Sequence, residues 1–144
     1  MYHEGENTKG RRLFYAQIPV VRHVSKKNGR PVYNGRICKS PELKAAENHL
    51  LLQLQSHRNY QKIFKPFGCD LWLLCIFKFD DYYTKKGVRR KNLPDLSNLY
   101  ELIQDQLQNS GIIENDSQIC SHDRSRREPG NQNILEISLY EFIE

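Results

Sequence analysis

Residues 94–119 read PDLSNLYELIQDQLQNSGIIENDSQI, and this stretch decides the fold. Pro94 and Asp95 open a helix, since proline suits a first turn and aspartate suits a cap. At ~100° per residue, Leu96, Leu99, Ile103 and Leu107 share one face. Asn98, Glu101 and Asp105 share the opposite side. The pattern predicts a helix to about Asn109, with Gly111 as its C-cap. Ile112-Ile113 then leads into a tight polar turn, Glu114-Asn115-Asp116-Ser117, and a strand is expected from Gln118 to about Arg126.

The flanking sequence supplies the other layer. Asp70 to Phe79 is apolar at nearly every position, the mark of a strand buried on both faces. Tyr82–Leu93 is a basic linker joining it to the helix. Further upstream, Ser40-Pro41-Glu42 opens another helix, with Leu43, Ala46, Leu50 and Leu54 at helical spacing to about His57. Leu13 to Val24 has strand composition, and Pro19 within it implies an edge or a bulge. Lys26-Lys27-Asn28-Gly29-Arg30-Pro31 reads as a turn, after which Pro31 to Ile37 pairs back as a short strand. Asn133 to Phe142 closes the chain, after a turn around Pro129-Gly130. The expected order is β-β-α-β-α-β-β. This is a single α+β domain over 1–144, one mixed sheet with two main helices packed on it, and residues 1–11 as a loose leader.

Composition sets bounds. The 144 residues carry 22 Lys+Arg against 17 Asp+Glu, a formal net charge of +5, which favours a polyanionic partner. The 8 Tyr, 6 Phe and 1 Trp argue for a packed core despite a polar mean hydropathy of -0.73. No apolar run approaches the ~20 residues of a membrane span, and the start has no apolar segment of a signal peptide. A cytoplasmic protein, free of the membrane, is expected. Cys38, Cys69, Cys75 and Cys120 form no C-x-x-C pair and read as reduced thiols, with Cys75 in the core.

Five cations, Lys85, Lys86, Arg89, Arg90 and Lys91, fall within seven residues, and Asp95, Glu101, Asp105 and Asp116 follow. Cations beside carboxylates suit a phosphate backbone held against a metal-binding site. Each residue also has an ordinary reading. Asp95 serves as a helix cap, Asp116 as a turn residue, Glu101 and Asp105 as a solvated helix face, and the cations as a solvated loop. Lys26, Lys27 and Arg30 form a second basic group. Strand alternation would put His122, Arg124 and Arg126 on one face. Tyr82 and Tyr83 are open to stacking on unpaired bases, whereas packing is the better use of Tyr100.

Asp95-Leu-Ser-Asn-Leu99, Asp105-x-Leu107 and Gly111-Ile-Ile-Glu-Asn-Asp-Ser-Gln-Ile119 resemble the signature of the RusA family, Holliday junction resolvases of bacteria and their prophages. The family pattern runs Asp-Leu-Asp-Asn-Leu, a lysine three residues after the Asn, Asp-x-Leu, a Gly, then Asp-Asp, a residue, Gln and an aliphatic. The resemblance implies a compact dimeric fold. It also implies that the first Asp of the helix motif, the second, and the second of the turn pair bind metal. Here these positions are Asp95, Ser97 and Asp116. Asn98 is kept, the lysine position holds Glu101, and the first turn Asp is Asn115. Glu101 lies one turn beyond Ser97 and can restore the missing carboxylate.

The resemblance implies a Mg²⁺-dependent endodeoxyribonuclease, with Mn²⁺ as a substitute, that resolves four-way junctions or related branched DNA in recombination and repair. Asp95, Asp116 and Glu101 are the expected catalytic and metal-binding residues. Ser97, Asn98 and Asp105 support them, and the two basic groups contact DNA. Paired cuts on a symmetric junction call for a C2 homodimer. The alternatives are a junction-binding protein weakened in catalysis, a metal nuclease acting on other branched nucleic acid, and a basic interaction module whose acids are ordinary surface.

Overall fold

The computed structural model describes residues 10–25, 39–143 and the backbone of 32–33 and 36–37. A five-stranded mixed sheet forms the centre. Strand β1 (Arg12–Pro19) lies at one edge and pairs antiparallel with β7 (Ile134–Glu141), which pairs antiparallel with β4 (Leu71–Phe79). On its other side β4 is paired in parallel by two short strands, β5 (Ile119–Ser121) and β6 (Arg126–Pro129). Strands β2 (Val32–Tyr33) and β3 (Arg36–Ile37) make a small hairpin of their own. The α+β class expected from the sequence is therefore the observed one.

β4 is central because it is apolar on both faces. Leu71, Leu73, Cys75, Phe77 and Phe79 join the main core, while Trp72 and Leu74 pack with Tyr140 on the other face. Burial pushes the Cys75 thiol well above its usual pKa, so it stays protonated. The helices α1 (Pro41–Tyr60) and α2 (Leu96–Asn109) supply the rest of the core through Leu43, Leu50 and Leu54, and Leu99, Leu102, Ile103 and Leu107.

Helix α1 begins where Ser40 and Pro41 dictate. The Ser40 hydroxyl accepts from the Leu43 amide at 3.1 Å, and the helix runs three residues past the expected end at His57. At the C-terminal end of α2 the cap residue is Ser110, and Gly111, one residue past the expected role, takes φ +78°, the left-handed conformation that only glycine adopts without strain.

Several expectations needed correction. β1 stops at Pro19 rather than Val24, with one more backbone bond, Val20 N–H to Asn133 O at 3.0 Å, just before β7 begins. It is an edge strand, as Pro19 implied. The strand expected from Gln118 to Arg126 is two strands, β5 and β6. Between them Arg124 takes φ 66°, which breaks the alternation, so His122, Arg124 and Arg126 do not form one strand face. The gap this leaves along β4 is filled by a side chain: Ser125 Oγ accepts from the Cys75 amide (2.9 Å) and donates to Leu73 O (3.2 Å). Residues 1–9 of the expected leader lie outside the described residues, but Arg11 is tied down, its carbonyl accepting from the Glu141 amide at 3.0 Å.

Candidate functional site

Asp95 is the N-cap residue of α2 by backbone geometry, with φ -67° and ψ 141°, yet its side chain makes no capping hydrogen bond. The side-chain bond that the ordinary reading of Asp95 calls for is therefore absent. The carboxylate is exposed at the positive end of the helix, where a negative charge is favoured, and is not used to satisfy the helix. Ser97 and Glu101 are exposed one turn apart on the outer side of α2, while Asn98 and Asp105 are half-buried beside them. Ser97 and Glu101 thus stand where one could stand in for the other. Leu99, Ile103 and Leu107 are buried as the periodicity required, with Leu102 and Gln106 added to that face.

Asp116 is placed by a different device. It opens a short 3-10 turn, Asp116–Gln118, capped by Asn115, whose side chain accepts from the Ser117 amide at 2.9 Å. Gln118 then holds the turn from both sides. Its Oε1 accepts from the amides of Glu114 (2.8 Å) and Asn115 (2.9 Å), and its Nε2 donates to the carbonyls of Phe67 (2.7 Å) and Cys69 (2.8 Å). One side chain thus fastens the turn to the chain entering β4. The Asp116 amide donates to Gln108 Oε1 (3.2 Å), fixing the turn to the last turn of α2. Sequence reasoning passed over Gln118 and Gln108 as functional residues. Gln118 stands in the quoted signature and was open to discovery there; Gln108 left no signal.

The basic linker is folded rather than loose. Arg90 donates its amide to Tyr82 O (2.9 Å) and Thr84 its amide to Val88 O (2.8 Å), around a turn in which Gly87 takes φ +78°. Thr84 Oγ1 braces the tip by accepting from the Lys86 and Val88 amides, both at 3.3 Å. Lys85, Lys86, Arg89 and Lys91 project as exposed cations. Arg90 is half-buried and occupied, paired with Asp81 and donating to Asn92 Oδ1 at 3.1 Å, so it braces the linker. Lys26, Lys27 and Arg30 lie outside the described residues. Tyr82 is half-buried against the core and meets the exposed Tyr83 edge-on, ring centroids 5.0 Å apart.

Beside α2, Tyr100 stacks flat on His122 at 4.4 Å, with an interplanar angle of 4°, and His122 Nε2 is bonded to Gln104 Oε1 at 2.6 Å. Burial lowers the His122 pKa, which favours the neutral ring, with Nε2 as the donor to the amide oxygen. Packing is thus the role of Tyr100, as expected.

The two retained aspartates do not meet. Asp95 precedes the first turn of α2, and Asp116 is fastened to Gln108 in its last turn. Thirteen residues at ~1.5 Å rise separate those helix positions by ~20 Å. Among the described residues no three His, Cys, Asp or Glu side chains come together as a metal site needs. Within one chain, then, the acids do not fit a shared divalent ion.

A profile of the family described as Endodeoxyribonuclease RusA matches residues 17–140. No curated protein matches the chain.

Proposed function

Since the chain belongs to the RusA endodeoxyribonuclease family, we propose that it cuts branched DNA at four-way junctions, as a homodimer and with a divalent cation, Mg²⁺ or in its place Mn²⁺. The observation that carries this reading is the exposed, uncapping carboxylate of Asp95, directly after a folded arm that presents Lys85, Lys86, Arg89 and Lys91 to solvent. A surface cap would bond the helix, and this one does not. A divalent cation, when bound, would supply charge neutralisation at the scissile phosphate.

The chain's own residues bind and orient. The exposed cations of the linker hold phosphates, each replacing a condensed counterion, so affinity falls with salt. Asp95 and Asp116 supply the acids, with Glu101 taking the place of the carboxylate absent at Ser97. Asn98, in the first turn of α2, and Asp105, in its third, support these acids, and Gln118 and Gln108 fix the position of Asp116. No helix among the described residues is long and apolar enough to cross a membrane. We expect the protein to act in the cytoplasm.

The test is incubation of the protein with an end-labelled four-way junction and Mg²⁺ or Mn²⁺, with Asp116→Asn as control. Paired nicks from the wild type and none from the variant support the reading. A second reading, junction binding without cleavage, draws on Ser97 and on the separation of the acids in one chain. Tight binding without nicks in either metal would establish it.

A further inference from the structure

Where α1 ends, the chain departs from what folding alone asks of it. The helix closes with two backbone bonds, Lys62 N–H to Asn59 O at 3.1 Å and Ile63 N–H to Arg58 O at 3.0 Å. Such a closure usually takes glycine at its left-handed residue, and here Lys62 occupies that place with φ 58°. The loop that follows is fixed on both sides. Gln61 grips the edge strand β1, its Nε2 donating to Tyr15 O at 2.6 Å and its Oε1 accepting from the Tyr15 amide at 3.3 Å. Ile63 and Phe67 pack against the core, and the Phe67 amide donates to Ile112 O at 2.9 Å. Around these anchors two rings face solvent, Tyr60 at 86% exposed and Phe64 at 83%. Rings held open on a fixed loop give up the burial that would stabilise them. Lys62 and Lys65 interleave with them, exposed, and neither is ion-paired among the described residues.

We infer that Tyr60, Lys62, Phe64 and Lys65 form a platform for unpaired bases of single-stranded DNA. The rings stack on base faces, and the ammonium groups meet the phosphates between those bases. Charge decides for DNA over a second copy of the chain as the occupant. An interface with another chain of net charge +5 would cover two lysines without supplying the anions they need, whereas a DNA strand supplies one phosphate per base. Position ties the platform to the candidate site. Phe67 bridges Ile113, and its carbonyl accepts from Gln118, which holds the Asp116 turn. Phe64 lies three residues before Phe67, at most ~11 Å along the chain, or about three base steps at ~3.4 Å. A strand engaged at the Asp116 turn thus has its neighbouring bases within reach of the rings. The inference rests on the endonuclease reading for why unpaired bases come here, but the binding of a single strand is separable from it.

The probe is fluorescein-labelled oligothymidine, compared with a fully paired duplex of the same length. Both are titrated by anisotropy without divalent metal, so that no cutting intervenes. Tyr60→Ala and Phe64→Ala should each weaken oligothymidine binding roughly fivefold or more, with paired duplex changed less than about twofold. Phe64→Trp should keep the affinity. A double alanine variant that binds oligothymidine as wild type does overturns the inference, and so does an equal loss on both DNAs. A wild-type dimer made monomeric by the double alanine change, seen by ultracentrifugation, would show that the rings cover a second copy, and this also refutes the platform. Cross-linking of the wild type needs no variant to fold. With 5-iododeoxyuridine in the oligothymidine, irradiation and peptide mass spectrometry should place the adduct on Tyr60 or Phe64, and adducts found only elsewhere refute the platform. Ring-dependent oligothymidine binding by a wild type that nicks no junction would leave the platform standing and remove the nuclease reading instead.

Discussion

Replacing Gln118 by alanine should unfasten the turn that carries Asp116. The side chain makes four hydrogen bonds, between 2.7 and 2.9 Å, to backbone groups of Glu114, Asn115, Phe67 and Cys69. Glu114 and Asn115 are exposed, so their amides recover water and each bond is worth about 0.5 kcal/mol. Cys69 and Phe67 are half-buried, and losing a donor to each carbonyl costs about 1 kcal/mol apiece. The sum is about 3 kcal/mol. At roughly 3 °C per kcal/mol for a domain near this size, the melting midpoint should fall by about 10 °C. The turn also fixes Asp116, so junction nicking should fall more than ~10-fold at a temperature where the variant is still folded, with junction affinity kept. Calorimetry and an end-labelled junction assay measure the two. Gln118→Glu should not rescue, because it keeps the acceptor but sets a carboxylate against the Phe67 and Cys69 carbonyls. A melting midpoint for Gln118→Ala within about 1 °C of wild type would refute the clamp.

Ser125→Ala leaves the Cys75 amide and the Leu73 carbonyl of β4 without the hydroxyl that satisfies them, and urea unfolding should show a loss of about 2 kcal/mol. Alanine at Lys85, Lys86, Arg89 and Lys91 together should weaken binding to any duplex, lowering the log–log salt slope by ~0.9 for each cation that meets a phosphate; Arg90→Ala should instead loosen the arm, seen as faster proteolysis. Glu101→Ala should cost more than ~100-fold in nicking rate if Glu101 replaces the acid absent at Ser97, and Ser97→Asp with Glu101→Lys should restore it; alanine with no effect leaves Glu101 an ordinary helix residue. His23 donates to Lys78 O at 2.7 Å among Phe77 and Phe79, and burial holds its pKa below the usual 6.5. The unfolded chain binds that proton first, so stability is full above about pH 6.5 and is lost as pH falls through the lowered folded pKa. Midpoints measured between about pH 7 and pH 5 should fall more in wild type than in His23→Phe.

The sequence by itself determined the elements whose burial is one-sided or complete. β4 was legible because both its faces are apolar, α2 because its apolar residues recur at helical spacing, and the ends of the helices because Ser40, Pro41 and Gly111 have local reasons to be there. It also carried the signature from Asp95 to Ile119 on which the family rests, matched over residues 17–140. Tertiary structure decided what depends on partners far away in the chain. Arg124 has a left-handed backbone that no pattern announced, and with it one expected strand became two, bridged by Ser125. Spacing could not show that Asp95 leaves its helix uncapped, because a cap is a hydrogen bond between particular atoms. Nor could it show that Gln108 fastens the Asp116 turn to the last turn of α2, the end far from Asp95. A motif orders residues along the chain, and a straight helix of fourteen residues between two of them holds them apart in space.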